Sequence, residues 1–244
     1  MTNEAASGTA RDPRIARGMA RQLASRRRML ETGADAIGWK VALGTPAAQR
    51  AAGVEQPVVG FLTSASRLPD GATVPIGGWT KPMVEAEIAV HVAADLGPGA
   101  DRATAAHAIG GLGAAIEVVD VALPLDAVEE VVAGNIFHRH VVLGPSDPGR
   151  RGGAVDGIAV ALSVDGAPVA RADDPTAVVG DLVEIIRFVA DELAASGVRL
   201  RAGDVVITGS VTPLHPVAAG QSLRVDAGPL GALELTFSDA DGAA

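Results

Sequence analysis

The stretch Pro82–Val90, PMVEAEIAV, limits most tightly what this chain can become. Two acids one residue apart sit inside a run that otherwise reads as a buried strand. On a strand, residues i and i+2 share a face, so Glu85 and Glu87 stand side by side. Neighbouring carboxylates in apolar surroundings repel each other and are costly to take out of water. On the wet face of an amphipathic strand, where Glu-x-Glu pairs are common, that cost is absent. Here, however, Val84, Ala86 and Ile88 are apolar and the acid face runs on to Ala89 and His91, so neither side is plainly solvated. A positive charge is expected between the acids, and a divalent cation is the simplest one. Glu117, within AAIEVVD at 114–120, is a third acid in similar company about one supersecondary unit later. Three carboxylates form a hard, all-oxygen donor set that suits Mg²⁺ or Mn²⁺ better than zinc.

At 244 residues the chain is long enough to bury a sizeable core in one large domain. Aromatic residues make up only 2%, with no Tyr, so that core has to be built from Val, Leu, Ile and Ala. Thirty Gly and fifteen Pro imply many turns and favour a sheet-rich fold over a helix bundle. A net charge of −9 argues against nucleic acid or an anionic membrane as the main partner. With no cysteine there is no disulfide framework and no thiolate nucleophile or ligand. No apolar run approaches the length of a membrane span and the N-terminus has no apolar leader, so a soluble, cytoplasmic protein is expected.

Taken in order, residues 1–10 are small and polar and are expected to fray. Residues 14–31 read as an amphipathic helix, with Arg26-Arg27-Arg28 on its wet face or, less simply, at a phosphate or partner site. In IGWKVALG (37–44), Lys40 lies in an apolar strand and either snorkels outward or is held inside by acids. Thr45 caps a short helix with Pro46 at its first position, and Gly60 allows close approach in the following strand. Residues 68–78 read as a hairpin region turning at Pro69-Asp70-Gly71, 104–112 as helix, and 123–133 as helix with Asp126, Glu129 and Glu130 outward. Asn135 and His138 lie where that helix gives way to a strand, and His138 is a candidate polar site residue. A hairpin turns at Asp165-Gly166, and 181–195 is the longest convincing helix, stopped by Gly197. A buried strand then ends in the small polar residues Thr208-Gly209-Ser210, and two more strands flank a Gly-Pro turn. There is no repeat and no low-complexity linker. The expected organisation is a single catalytic domain over 1–244, with a helical extension at 1–35 and a core at 36–240.

Four stretches in this order and spacing, Gly38-Trp39-Lys40, Glu85-Ala86-Glu87, the 115–120 run AIEVVD and the 203–210 run GDVVITGS, resemble the fumarylacetoacetate hydrolase superfamily. The resemblance runs from about Ala20 to Phe237 and is strongest to the branch of 2-keto-4-pentenoate hydratases and 4-oxalocrotonate decarboxylases. It implies an α+β, mixed β-roll fold with peripheral helices and a homo-oligomer. It also implies Mg²⁺ or Mn²⁺ held by Glu85, Glu87 and Glu117. Lys40 is implied as the lysine that binds or polarises a 2-oxo acid, and Thr208, Gly209 and Ser210 as lining its carboxylate end. Asp120 and Asn135 stand beside these as candidate substrate contacts, and His138 as a second catalytic candidate. Two places depart from the branch pattern: Val121-Ala122-Leu123-Pro124 replaces an Asp-Ser-Arg-like run, and Asn135-Ile136-Phe137-His138 replaces small residues. The expected activity is metal-dependent hydration of a 2-hydroxy-2,4-dienoate to a 4-hydroxy-2-oxo acid. The alternatives are decarboxylation of a 2-oxo-3-enedioate, C–C bond hydrolysis, or a non-catalytic subunit that binds 2-oxo acids.

Overall fold

The computed structural model describes residues 11–239, so the fraying expected of residues 1–10 lies outside them. Helix α1 (Pro13–Glu31) starts where Asp12 accepts a hydrogen bond from the Arg14 N–H, with Pro13 at the first turn. Its buried stripe, Ile15, Met19, Gln22 and Leu23, follows the 3.6-residue period. The same stripe reaches Arg26, whose guanidinium lies 4.7 Å from the centre of the Trp39 ring. Arg26 therefore turns inward instead of sharing the wet face with the exposed Arg27 and Arg28. Gln22 is fully buried and donates to the carbonyls of Val59 and Val132 at 3.2 and 2.9 Å, pinning the helix to the core.

Among the described residues, thirteen strands are divided between two sheets. The larger contains β1 (Ala36–Ala42), β2 (Val58–Thr63), β3 (Arg67–Leu68), β5 (Pro82–Val92), β6 (Ile109–Asp120), β7 (His138–Leu143), β10 (Val205–Ser210) and β11 (His215–Pro216). Its order is β2-β1-β10-β5-β6-β7-β3, with β11 also on β5. The smaller contains β4 (Thr73–Pro75), β8 (Val160–Val164), β9 (Ala167–Ala172), β12 (Ser222–Asp226) and β13 (Ala232–Ser238), in the order β4-β13-β12-β8-β9. Short helices α2 (Pro46–Ala52), α3 (Arg102–Ala108), α4 (Val128–Ala133) and α5 (Thr176–Val179) and the longer α6 (Leu182–Ala195) lie around them. Val, Leu, Ile and Ala make up most of the main core, and its members come from both sheets, α1 and α6. No helix among the described residues is long and apolar enough to cross a membrane.

Several boundaries differ from expectation. The turn at Pro69-Asp70-Gly71 is present, but β3 pairs with β7 and β4 with β13, so it joins two sheets and makes no hairpin. Helix α3 stops at Ala108, and Ile109–Leu112 already belong to β6, whose register with β5 is more valuable to these apolar residues than another helical turn. Helix α4 begins only at Val128, and Glu129 reaches across to Arg17 at 2.7 Å. The longest helix is α1, not α6.

Candidate metal centre

The site rests on the pairing of β5 with β6. Glu85 stands directly opposite Glu117 in the antiparallel register, and Glu87 lies one same-face position along. One oxygen from each of Glu85, Glu87 and Glu117 falls within 4.8 Å of the others, a spacing that a single cation can bridge with small side-chain adjustments. Glu87 and Glu117 are fully buried, and Glu87 Oε1 and Glu117 Oε2 have no hydrogen-bond partner in the structure. Orphaned buried carboxylate oxygens are rare and call for a positive occupant. Burial, with the Glu117 charge adding to it, pushes Glu85 up to about 7. Burial and then the charges of Glu117 and Glu85 hold Glu87 well above the ordinary carboxylate range. The donor set and its electrostatics therefore fit a hard divalent cation.

Lys40 supplies part of the missing charge. Its Nζ donates to Glu117 Oε1 at 2.5 Å and to the Ile136 carbonyl at 3.1 Å, and its side chain is 1% exposed. The acids therefore hold Lys40 inside; it does not snorkel. On a flat sheet β1 and β6 would lie three strand spacings apart, about 14 Å. Side chains stand roughly perpendicular to a sheet and do not lie along it, so the pair meets because the sheet curls. Gly60, paired with Lys40 in β2, clears the route: a Cβ there would lie 2.8 Å from Lys40 Cγ and 2.8 Å from Asn135 Oδ1. Burial alone would raise Glu117, but Lys40 and then His138 outweigh it and bring its carboxyl below the usual range.

The remaining expected residues separate into those on the cavity and those behind it. A cavity of about 640 Å³ reaches the acidic centre at Glu85 and is also lined by Lys40, Thr208, Gly209 and Ser210, with Glu87 and Glu117 buried behind it. The Gly209 N–H donates to Glu87 Oε2 at 2.6 Å from a backbone at φ +98° that favours glycine. The Thr208 hydroxyl donates to the Ile88 carbonyl and the Ser210 hydroxyl to the Thr212 carbonyl. His138 does not line the cavity. Its Nδ1 lies 2.6 Å from Glu117 Oε1 and its Nε2 2.9 Å from the Ser66 hydroxyl, so it orients Glu117 from behind. Asn135 clamps β2, accepting from the Phe61 N–H at 2.8 Å and donating to the Phe61 carbonyl at 2.9 Å. Asp120 accepts from the Lys81 N–H at 2.8 Å and from Arg139 at 3.2 Å. Neither Asn135 nor Asp120 is on the cavity wall.

Three features went unanticipated. Asn135, Ile136 and Phe137 form a left-handed turn with φ of 61°, 54° and 64°, which aims the Ile136 carbonyl at Lys40. Such backbone costs about 1–2 kcal/mol per non-glycine residue and tends to collect at functional sites. Thr212 lines the cavity at 4% exposure with its hydroxyl unbonded, and Lys81 is the second lysine on the wall. The other walls are mostly apolar, with Met83, Val121, Leu125, Val178 and Leu214 among them and no arginine among the described residues.

Residues 35–238 match the fumarylacetoacetate (FAA) hydrolase C-terminal family model. A 2-keto-4-pentenoate hydratase of Burkholderia vietnamiensis is 33% identical over 208 residues, covering 83% of this chain and 78% of that one. A 4-oxalocrotonate decarboxylase of Pseudomonas putida is 30% identical over 216 residues, covering 87% and 81%. The solved 4-oxalocrotonate decarboxylase from Pseudomonas putida G7, complexed with magnesium and adipate, superposes with a TM-score of 0.80 at 28% identity, over 89% of this chain and 84% of that one. With its α+β fold and clustered acids, the chain is an enzyme of the fumarylacetoacetate hydrolase family, in the branch of its hydratases and decarboxylases.

Proposed function

We propose that the protein is a divalent-metal-dependent hydratase that adds water to a 2-hydroxy-2,4-dienoate to give a 4-hydroxy-2-oxo acid. The observation that carries this reading is the three-carboxylate centre, with orphaned oxygens on Glu87 and Glu117, which meets through Glu85 a cavity whose other walls are mostly apolar. Glu85, Glu87 and Glu117 would hold Mg²⁺ or Mn²⁺, which supplies Lewis-acid charge to the carboxylate and keto oxygens of a 2-oxo acid. Lys40, on the same wall and fixed by Glu117 and Ile136, adds positive charge at that end of the cavity and can donate a proton there. Gly209 and His138 hold two of the acids in place, Gly209 through its N–H to Glu87 and His138 through its ring to Glu117. Thr212 and Ser210 offer hydroxyl oxygens to the substrate or to the water that adds.

A 2-oxo-3-enedioate would bring a second carboxylate into a cavity with no arginine, where Lys81 is the one cation besides Lys40. That favours hydration over decarboxylation. The reading takes the whole chain as one catalytic unit, a cytoplasmic homo-oligomer whose partner is its small-molecule substrate. NMR product analysis tests it: 2-hydroxypenta-2,4-dienoate and, separately, 2-oxohex-3-enedioate are supplied with Mg²⁺, with and without a chelator. Chelator-sensitive 4-hydroxy-2-oxopentanoate is expected from the first substrate. Loss of CO₂ from the second, with no turnover of the first, would replace the hydratase by the decarboxylase.

A further inference from the structure

Trp39 and Lys40 are neighbours on β1 and so point to opposite faces of the sheet. Behind Trp39 lies a second cleft, of about 410 Å³, which shares no lining residue with the acidic cavity. Three arginines line it: Arg26 from α1, and Arg199 and Arg201 from the segment between α6 and β10. None of the three forms an ion pair with another described residue, and Arg26 Nε is buried without a hydrogen-bond partner. Asp204 is the one acid on the wall among the described residues. Its Oδ2 is already committed, accepting from Trp39 Nε1 at 3.1 Å and from the Arg201 N–H at 2.9 Å. In a chain of net charge −9, most arginines with structural roles meet carboxylates, as Arg14, Arg17, Arg102 and Arg224 do. In the cleft, by contrast, three arginines converge on one concave site with no ion pair among the described residues, Arg26 stacking on the Trp39 ring.

We propose that the Arg26–Arg199–Arg201 cleft binds a compact oxyanion carrying two or more negative charges, a phosphate or a polycarboxylate. Guanidinium forks match both kinds of oxyanion bidentately, and an excess of positive charge remains after Asp204 is counted. The bound anion ties α1 and the α6–β10 segment to β1, the strand that carries Lys40. Binding therefore stabilises the strand from the face opposite the reaction.

The two tryptophans and the absence of tyrosine make the test direct. In a Trp79→Phe background Trp39 is the sole indole, and its emission is followed on adding inorganic phosphate, pyrophosphate or tricarballylate at constant ionic strength and constant free Mg²⁺. Thermal unfolding is followed alongside. A saturable change in emission and a rise in Tm are expected with at least one probe. In an Arg199→Ala/Arg201→Ala variant, whose substituted side chains are exposed, affinity for that probe should fall about ten-fold or more. That variant leaves Glu85, Glu87 and Glu117 intact, so anions bound through the acidic centre would still bind it unchanged. Unchanged affinity in the double variant, an equal response to NaCl, or no change in either emission or Tm would each overturn the proposal. Which probe binds tightest separates the phosphate from the polycarboxylate source.

Discussion

In the smaller sheet Arg224 meets Glu234 at 2.6 Å across β12 and β13, with both side chains about half in water. In the larger sheet Lys40 meets Glu117 at 2.5 Å, with side chains 1% and 0% exposed. The distances are nearly the same and the physical meaning is different. Strands β12 and β13 alternate buried and exposed positions, so their charges face solvent and apolar residues such as Leu223, Val225, Leu233 and Leu235 face the core. Almost every position of β6 is buried, as are the four central positions of β1 that include Lys40, so a charge there has no route to water. An exposed pair is close to dispensable, because water serves each partner nearly as well. A buried pair seldom stabilises a fold more than apolar side chains would, yet losing one partner strands the other. The larger sheet keeps charges that its own stability does not require, and those charges form the reactive centre.

The comparison breaks most sharply at Lys40. Lys40→Met leaves Glu117 buried with the His138 ring as its remaining side-chain partner, and should cost about 3–5 kcal/mol of stability in denaturant unfolding. A cost as small as that of Arg224→Ala would show that burial does not separate the two pairs. Gly60→Ala comes next. Its Cβ would press on Lys40 Cγ and Asn135 Oδ1, so kcat should fall by about ten-fold or more with only a modest loss of stability. Unchanged turnover would mean that the placement of Lys40 is not critical.

The pH dependence sharpens the contrast further. Without a cation, Glu85 titrates near 7 and Glu87 is held well above the ordinary carboxylate range, both raised by burial first and by neighbouring acids next. Raised carboxyls stabilise the fold while protonated, and that contribution is lost as pH rises through about 7. Glu117 runs the other way, since its lowered carboxyl loses its contribution as pH falls. The gain in Tm on adding Mg²⁺ should therefore be larger at about pH 8 than at about pH 6, because the cation takes over from the protons. A gain independent of pH would contradict the site. The smallest effect is expected of Arg224→Ala, whose melting curve should overlay that of the parent.

How legible these features were in the sequence depended on range. The i, i+2 spacing put Glu85 and Glu87 on one face, and the apolar neighbours of Glu117 marked it as their companion, because both signals are local. The direct register of Glu85 against Glu117 and the crossing of Lys40 over curled strands are long-range results of sheet order, which no local pattern encodes. Only Asn135, a residue that tolerates positive φ, hints at the left-handed turn at Asn135–Phe137. It contains no glycine, and β-branched Ile136 ordinarily avoids that region. His138 was singled out as a polar site residue, but its place behind Glu117 was not visible. Arg26 looked like one of three solvated arginines until the helical period placed it on the buried stripe beside Trp39.

The most direct test is thermal unfolding of the parent and of Glu87→Gln at about pH 8, each with and without Mg²⁺. The neutral amide mimics the protonated acid that the buried position favours, so the variant without metal should melt no lower than the parent. It should also show none of the parent's rise on adding Mg²⁺. If the variant keeps the full Mg²⁺ response, the three acids are not the metal centre.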